Sequence, residues 1–221
     1  MKKFLLISIL LSPIIAGNII GSSNLLFRRN YTYIQWTTYE PYRDYPCKME
    51  EVDSQVYCKQ WRQSDIVDWR FPFAKRRGEI KVKCQNKNFI FRDDLSDSNY
   101  HEFFSWGQFK QWLIVYGQDY HQQRFYMISL NTDSLTSLIG EPRIYGDKIL
   151  CVEGDYADSP LLIELWQMNS DGLNMLFCKS LRSLGLHGIQ DWFYSNGHIF
   201  LKNNVFVNNQ NVITFYDLII Q

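Results

Sequence analysis

A repeated pattern of strands and turns constrains the fold of this chain more than any other sequence feature. Segment 112–139 contains an apolar run, a polar loop with an Asp-Tyr pair, a second apolar run and an Asn-x-Asp-x-Leu turn. The same order recurs in segment 148–181, and a weaker third copy occupies 191–220. Units of roughly 40 residues with several strands each are typical of repeat folds, in which neighbouring units cover one another's faces.

The composition supports a β-rich interpretation of these units. Aromatic residues make up 16% of the chain, and Tyr, Phe and Trp favour half-buried strand positions. We therefore predict an all-β fold of antiparallel meander repeats, either β-propeller-like or a β-sandwich, with a few short helical turns. The helical turns are expected at residues 64–69 and 103–112.

Three hairpins follow from the turn residues. Asp-Gly and Asn-Gly pairs tolerate the positive φ that a short hairpin turn requires. Such pairs occur in Asn169–Gly172 and at Asn196-Gly197, each between two apolar runs. A further hairpin is expected between 79–84, which alternates polar and apolar residues, and the apolar segment 88–92.

The N-terminus has the layout of a secretory signal. Two lysines precede an apolar run from Phe4 to Ile15, and small residues follow at the next two positions. The run is too short for a membrane-spanning helix, which needs about 20 apolar residues. We predict a signal peptide over 1–16 with cleavage near Ala16 and a single β-rich domain over 17–221. The mature chain is then exported, periplasmic or secreted, without a stable membrane anchor.

Five cysteines in an exported chain indicate one or two disulfides. Cys47 and Cys58 form the best candidate pair because they flank a short polar segment that is expected to fold back as a hairpin. Cys151 and Cys178 fall on the first and third strands of one predicted unit. Those strands are about 9.6 Å apart, whereas a disulfide requires Cα atoms within about 7 Å. A disulfide between Cys151 and Cys178 would therefore contradict the simple meander. Cys84 has no assigned partner.

No catalytic motif is recognisable in the sequence. The chain lacks a Gly-x-Ser-x-Gly nucleophile turn, a glycine-rich phosphate loop, a Cys-x-x-Cys pair and a His-Glu-x-x-His metal motif. A formal net charge of zero gives no electrostatic basis for nucleic-acid binding. We therefore expect a protein that is not an enzyme and holds no cofactor. Asp93, Asp94 and Asp97 leave calcium binding open, although a solvated loop is the favoured interpretation.

Two groups of residues are candidates for partner binding. Aromatic side chains crowd into the segment that follows residue 30, where exposed rings would act as anchors, although core packing of alternate rings is favoured. A second group follows the first strand of the second repeat unit. The candidates are Trp36, Tyr39, Tyr42 and Tyr45 in the first group, and Asp155, Tyr156 and Asp158 in the second.

Asp119 and Asp155 occupy equivalent positions in two repeat units, directly before a tyrosine. A carboxylate after a strand commonly closes an Asx-turn, and this structural role is the favoured interpretation. The alternative is a pair of carboxylates for glycoside hydrolysis, which requires a separation of roughly 5 to 9 Å.

Three functional hypotheses follow. The first is an exported, non-catalytic binding protein, with a periplasmic immunity or inhibitor protein that neutralises a toxin or lytic enzyme by protein–protein binding as its specific form. In general design the chain resembles periplasmic immunity proteins and lysozyme inhibitors, which are small and β-rich and have a leader but no active site. The alternatives are a carbohydrate-binding or surface-adhesive module that uses the aromatic cluster, and a glycoside hydrolase with dispersed carboxylates.

Overall fold

The computed structural model describes residues 31–36, 43–154 and 161–221. Of the described residues, 56% lie in strands and only one short α-helix is present among them, so the predicted all-β class is confirmed. The predicted signal peptide and its cleavage site lie outside the described residues. Within the described ranges, no helix has the length and apolarity that crossing a membrane would require.

Fifteen strands, one α-helix and one 3₁₀ turn make up the described fold. In chain order they are β1 (Tyr31–Ile34), β2 (Cys47–Val52), α1 (Ser54–Gln60), β3 (Glu79–Lys83), β4 (Asn88–Arg92), β5 (Glu102–Phe109), β6 (Trp112–Gln118), β7 (Gln123–Ser129), β8 (Leu135–Leu138), β9 (Arg143–Tyr145), β10 (Lys148–Val152), β11 (Leu162–Met168), β12 (Leu173–Ser180), the 3₁₀ turn (Arg182–Leu184), β13 (Ile189–Ser195), β14 (His198–Val207) and β15 (Gln210–Ile220).

The strands form four sheets. Sheet 1 has the order β1-β4-β3, with β1 parallel to β4. Sheet 2 (β5-β6-β7-β8) and sheet 3 (β9-β10-β11-β12) are four-stranded antiparallel meanders. The repeat predicted the last three strands of each, whereas β5 and β9 precede the repeat units. Sheet 4 has the order β13-β14-β15-β2 and is also antiparallel. Neither a closed barrel nor a closed propeller is identified in the described part of the chain.

Hydrophobic clusters join successive sheets face to face. Residues of sheets 1 and 2 share one cluster, sheets 2 and 3 a second, and sheets 3 and 4 a third. On β6, for example, Leu113 packs towards sheet 1 whereas Ile114 packs towards sheet 3. On β10, Ile149 and Leu150 divide in the same way between the second and third clusters. Because both faces of these strands are buried, their sequences are continuous apolar runs and do not alternate between apolar and polar residues.

The three predicted hairpins are confirmed. Asn196 and Gly197 have φ of 51° and 88° and form the two-residue turn between β13 and β14. The Asn169 amide donates to the Gly172 carbonyl at 2.9 Å in the turn between β11 and β12. In the third hairpin, the Cys84 amide donates to the Lys87 carbonyl at 3.0 Å between β3 and β4.

The helical turns predicted at 103–112 and 64–69 are wrong. The first segment contains most of β5, which bends at a register shift between Ser105 and Gly107 and pairs with β6 across a tight turn. Phe103 and Phe109 on this strand are buried in two different hydrophobic clusters. The second segment is irregular and joins β5 through a bridge between Asp68 and Gln108.

The predicted hairpin between Cys47 and Cys58 is also wrong, and both thiols are free. Cys47 begins β2, where it pairs with Ile220 of β15. Cys58 lies on the exposed side of α1, next to the buried Tyr57. The helix starts because the Asp53 carboxylate accepts a hydrogen bond from the Val56 amide at 2.8 Å. The segment 47–60 therefore forms a strand of sheet 4 followed by a capped helix, and it does not form the expected hairpin.

Sheet 4 joins distant parts of the chain. Six consecutive residue pairs connect β2 to β15, from Val52 with Phe215 to Cys47 with Ile220. Leu218 lies in the middle of this segment, opposite Met49 and Ile199, and is completely buried. The last sheet is thus completed by a strand from near the start of the described chain.

We predict that β15 has a buried half and an exposed half with different contributions to stability. Leu218→Ala should lower the free energy of unfolding by about 2–5 kcal/mol because it leaves a cavity in the core. Ile213→Ala, on the same strand at 47% exposure, should cost less than about 1 kcal/mol. Urea denaturation of both variants measures the difference, and equal costs would contradict the described pairing.

Candidate functional site

The far halves of β14 and β15 extend beyond sheet 4 as a two-stranded arm. The last pair of β13 with β14 is Ile189 with Asn203, and the last pair of β2 with β15 is Val52 with Phe215. Residues 204–213, which we name the projecting hairpin, have strand pairs only with each other in the described structure, and a single backbone hydrogen bond from Asn204 ties their base to Gly188. Both outer edges of this arm therefore lack a neighbouring strand among the described residues.

A tight turn of two asparagines forms the tip of the projecting hairpin. Asn208 and Asn209 have φ of 50° and 63°, the left-handed conformation that asparagine tolerates better than most residues. The asparagine-rich sequence between 198–202 and 212–220 predicts a polar loop here, and this prediction is wrong. The signal for a hairpin is the placement of the Asn-Asn pair between Val205-Phe-Val207 and Val212-Ile213, which gives an apolar stretch on each side of the turn.

The projecting hairpin exposes apolar side chains. Phe206 is 69% exposed, and Val207, Val212 and Ile213 are between 40% and 47% exposed. No charged residue occurs from 203 to 216. Natural proteins usually protect free strand edges with charges, proline or bulges, because unprotected edges pair with other chains. An uncharged apolar arm without this protection is the strongest candidate for a docking surface in the described structure.

The base of the projecting hairpin is fixed by Gly188. The Asn204 amide donates to the Gly188 carbonyl at 2.7 Å, and the Gly188 amide donates to the Asn203 side chain at 3.0 Å. A Cβ atom at position 188 would lie 1.9 Å from the Asn204 carbonyl oxygen. Only glycine permits this approach without a backbone shift, so the arm leaves the sheet in a defined direction.

Among the candidates from the sequence, Trp36 is packed rather than free. Its indole nitrogen donates to Asp119 at 2.9 Å, and its ring stacks on His101 with a centroid distance of 5.9 Å. Gly117 makes room for the ring, because a Cβ atom there would lie 2.8 Å from it. Trp36 also meets Phe103 edge to face. The residue therefore links β1 to sheet 2.

An open pocket of about 360 Å³ lies beside Trp36. Tyr100 and Tyr120 stack on each other at its rim with a centroid distance of 4.6 Å. Tyr120 is 62% exposed, and the Tyr100 hydroxyl donates to Glu102 at 2.6 Å. The volume is in the range of small-ligand sites, and the walls combine aromatic faces with polar groups.

Asp119 has the contacts of an Asx-turn. One carboxylate oxygen accepts hydrogen bonds from the His121 and Gln122 amides at 2.7 and 2.6 Å, and the other accepts the Trp36 bond. Both oxygens are therefore engaged in holding the loop after β6. Asp155, the second carboxylate of the hydrolase hypothesis, lies outside the described residues.

Tyr45 is half-buried and packs against two hydrophobic clusters. Its amide donates to the Cys178 carbonyl at 2.9 Å, and its ring centroid lies 6.4 Å from that of Phe177. These contacts match the core-packing interpretation of the aromatic segment. The remaining partner-binding candidates lie outside the described residues; they are Tyr39, Tyr42, Asp155, Tyr156 and Asp158.

Two of the three carboxylates considered for calcium are engaged by the protein. Asp93 accepts the Phe103 amide at 2.9 Å and pairs with Lys75 at 2.6 Å. Asp94 accepts the amide and hydroxyl of Ser96, and Asp97 is exposed. Across the described ranges, no group of three or more potential ligands is arranged to hold a metal ion. The geometry thus gives no support to the calcium alternative.

A buried carboxyl group lies between two thiols in sheet 3. Glu164 on β11 is the register partner of Cys151 on β10 and of Cys178 on β12, and it is only 6% exposed. The intervening strand keeps the two cysteines apart, and both thiols are free, as the meander predicted. Burial raises the pKa of both thiols, which disfavours the reactive thiolate.

Burial also raises the pKa of Glu164 from 4.5 to about 7, although a hydrogen bond from Trp166 and the charge of Arg124 act in the opposite direction. A raised carboxyl pKa means that folding favours the protonated form. The resulting stability is complete below pH 4.5 and is lost as the pH rises towards 7. At 1.36 kcal/mol per pKa unit, it amounts to about 3 kcal/mol.

We predict that Glu164→Gln removes this pH dependence. The variant should gain up to about 3 kcal/mol of stability relative to wild type between pH 4.5 and 8, because a neutral amide has no charge to bury. Urea denaturation at several pH values measures the difference, with Glu141→Gln, at an exposed position, as the control. Parallel pH profiles for Glu164→Gln and wild type would contradict the burial effect.

No family model matches the chain, and no curated protein or solved structure is significantly similar to it.

Proposed function

We propose that the protein is an exported, non-catalytic binding protein that docks onto a partner protein through the projecting hairpin. The observation that supports this proposal is the uncharged arm of residues 204–213, with Phe206 exposed near its tip and both edges unpaired in the described structure. An isolated two-stranded hairpin is only marginally stable in water. A partner that covers the apolar faces of the hairpin would remove them from water, and strand pairing with its edges would satisfy their free backbone groups.

The shape of the arm suits insertion into a cleft. A two-residue turn makes the tip narrow, and the anchored base at Gly188 limits the loss of conformational freedom on binding. Because Phe206 is 69% exposed, its complete burial contributes about 1–2 kcal/mol before the costs of association, and the less exposed valines and Ile213 contribute less. A toxin or lytic enzyme whose active-site cleft receives the arm would be neutralised by obstruction, which is the specific form of the proposal.

The docking role is tested by site-specific cross-linking. A photoreactive benzoylphenylalanine placed at Phe206 should capture one protein from the native cell envelope, whereas the same probe at Leu95 should not. Leu95 is a matched control because it is 66% exposed and lies in a different loop. Equal capture at both positions, or capture of a second copy of this chain alone, would contradict the proposal.

Affinity for the purified partner provides the quantitative test. Phe206→Ser should weaken binding at least tenfold, which corresponds to about 1.4 kcal/mol, and Leu95→Ser should change it less than twofold. If the partner is a toxin or lytic enzyme, saturating amounts of the wild-type protein should inhibit its activity. The same concentration of the Phe206→Ser variant should inhibit that activity less. A partner that binds the two variants equally would contradict a role for the hairpin.

The pocket beside Trp36 supports a second candidate function, carbohydrate binding. Sugar rings pack on aromatic faces while their hydroxyl groups bind polar side chains, and Tyr120, Tyr100 and His101 offer both kinds of contact. Exposed tyrosines are among the residues that dominate binding energies. Trp36 itself is a poor probe of this role because its removal would disturb the packing on His101 and Phe103.

We expect Tyr120→Ala to abolish any glycan binding by this pocket without unfolding the protein, because the side chain is mostly exposed. A glycan array measures the loss, with Tyr33→Ala, another exposed tyrosine, as the control. An array on which wild type binds no glycan would remove this candidate function.

A further inference from the structure

We propose that a cationic groove beside β3 binds an anionic polysaccharide through its sulfate or carboxylate groups. The groove has a volume of about 930 Å³ and is formed by β3 and the segment that precedes it. Four cationic side chains line it, namely Arg76, Arg77, Lys81 and Lys83, with Glu79 as the only carboxylate among its described lining residues. This excess of positive charge contrasts with the zero net charge of the whole chain.

The local ion pairs leave most of this positive charge available. Glu79 is occupied by Lys81 at 2.9 Å and by Arg92 at 2.6 Å, and hydrogen bonds from these two cations lower its pKa. Among the described residues, no ion pair is found for the side chains of Arg76, Arg77 or Lys83. Three cations of the groove are therefore free to bind an incoming anion.

The backbone holds the two arginines in place. Arg76 and Glu79 exchange amide hydrogen bonds of 2.8 and 3.0 Å, with Arg77 and Gly78 as the two residues of the turn. Arg77 has φ of 51°, a conformation in which asparagine or aspartate is more usual than arginine. The turn itself thus does not require a cation at this position.

Lysines on β3 extend the cationic surface along the strand. Lys81 and Lys83 are two residues apart and therefore project from the same face, roughly 6.6 Å from each other. Lysines also protect a free strand edge from pairing, and β3 is an edge strand of sheet 1. That role does not account for Arg76 and Arg77 or for the groove between the turn and the strand.

An anionic polysaccharide suits the groove better than a nucleic acid. Single-stranded nucleic acids bind by stacking bases on exposed aromatic rings. Phe73 is the one aromatic side chain among the described residues that line the groove, and it is packed against Phe71 and the sheet 1 cluster. Duplexes are bound by domains with a strong excess of basic residues, which this chain lacks. A polysaccharide needs only spaced cations and an open groove.

Binding to defined polyanions tests the proposal. Wild type should bind heparin, a sulfated polysaccharide, and polygalacturonate, a carboxylated one, with affinities that fall as salt is raised from 50 to 200 mM because exposed charges are screened. The double variant Arg77→Asn/Lys83→Gln should bind at least tenfold more weakly. Asparagine suits the left-handed turn, so this variant should fold like wild type in circular dichroism.

The matched control is Lys110→Asn/Lys59→Gln, which removes the same charge, again with asparagine at a left-handed turn position, since Lys110 has φ of 53°. This control should bind within twofold of wild type. Equal weakening in both double variants, no binding by wild type, or tighter binding to a single-stranded oligonucleotide or to anionic lipid vesicles would overturn the proposal. Phe206→Ser should leave polysaccharide binding unchanged, which separates this site from the projecting hairpin.

Discussion

The pairing of β2 with β15 is the constraint on which the described fold depends. It places residues 47–52 on residues 215–220 and so joins distant parts of the chain in sheet 4. Its length also creates the projecting hairpin of the proposed docking site, because β2 covers only the last part of β15 and β13 stops at Asn203 of β14. The same strands are therefore core elements at one end and an unsupported arm at the other.

The repeat and the turn chemistry made three consecutive strands of each of sheets 2, 3 and 4 predictable. Asn196-Gly197 and Asn169–Gly172 form turns because their residues tolerate the backbone angles that a hairpin needs. The elements that sequence analysis missed depend on tertiary contacts. Nothing in the sequence of 47–52 identifies β15 as its partner strand. Likewise, the sequence of 103–112 does not show that this segment pairs with β6.

Candidate sites were less predictable than the fold, for a physical reason. Trp36 and Tyr45 are aromatic residues of the kind that anchor partners, but the interior of a stack of sheets needs the same residues. Their packing on His101 and Phe177 could not be inferred from composition. The projecting hairpin was missed because its asparagines are typical of a loop. Its apolar side chains are exposed because β13 and β2 stop pairing with β14 and β15 before the hairpin begins.

Hydrogen exchange along β15 tests the account most directly. Amides from Phe215 to Ile219, which lie between β14 and β2, should exchange far more slowly than those of residues 204–213 in the free protein. Fast exchange in both segments would contradict the pairing of β2 with β15, and slow exchange in both would show that the arm is already covered.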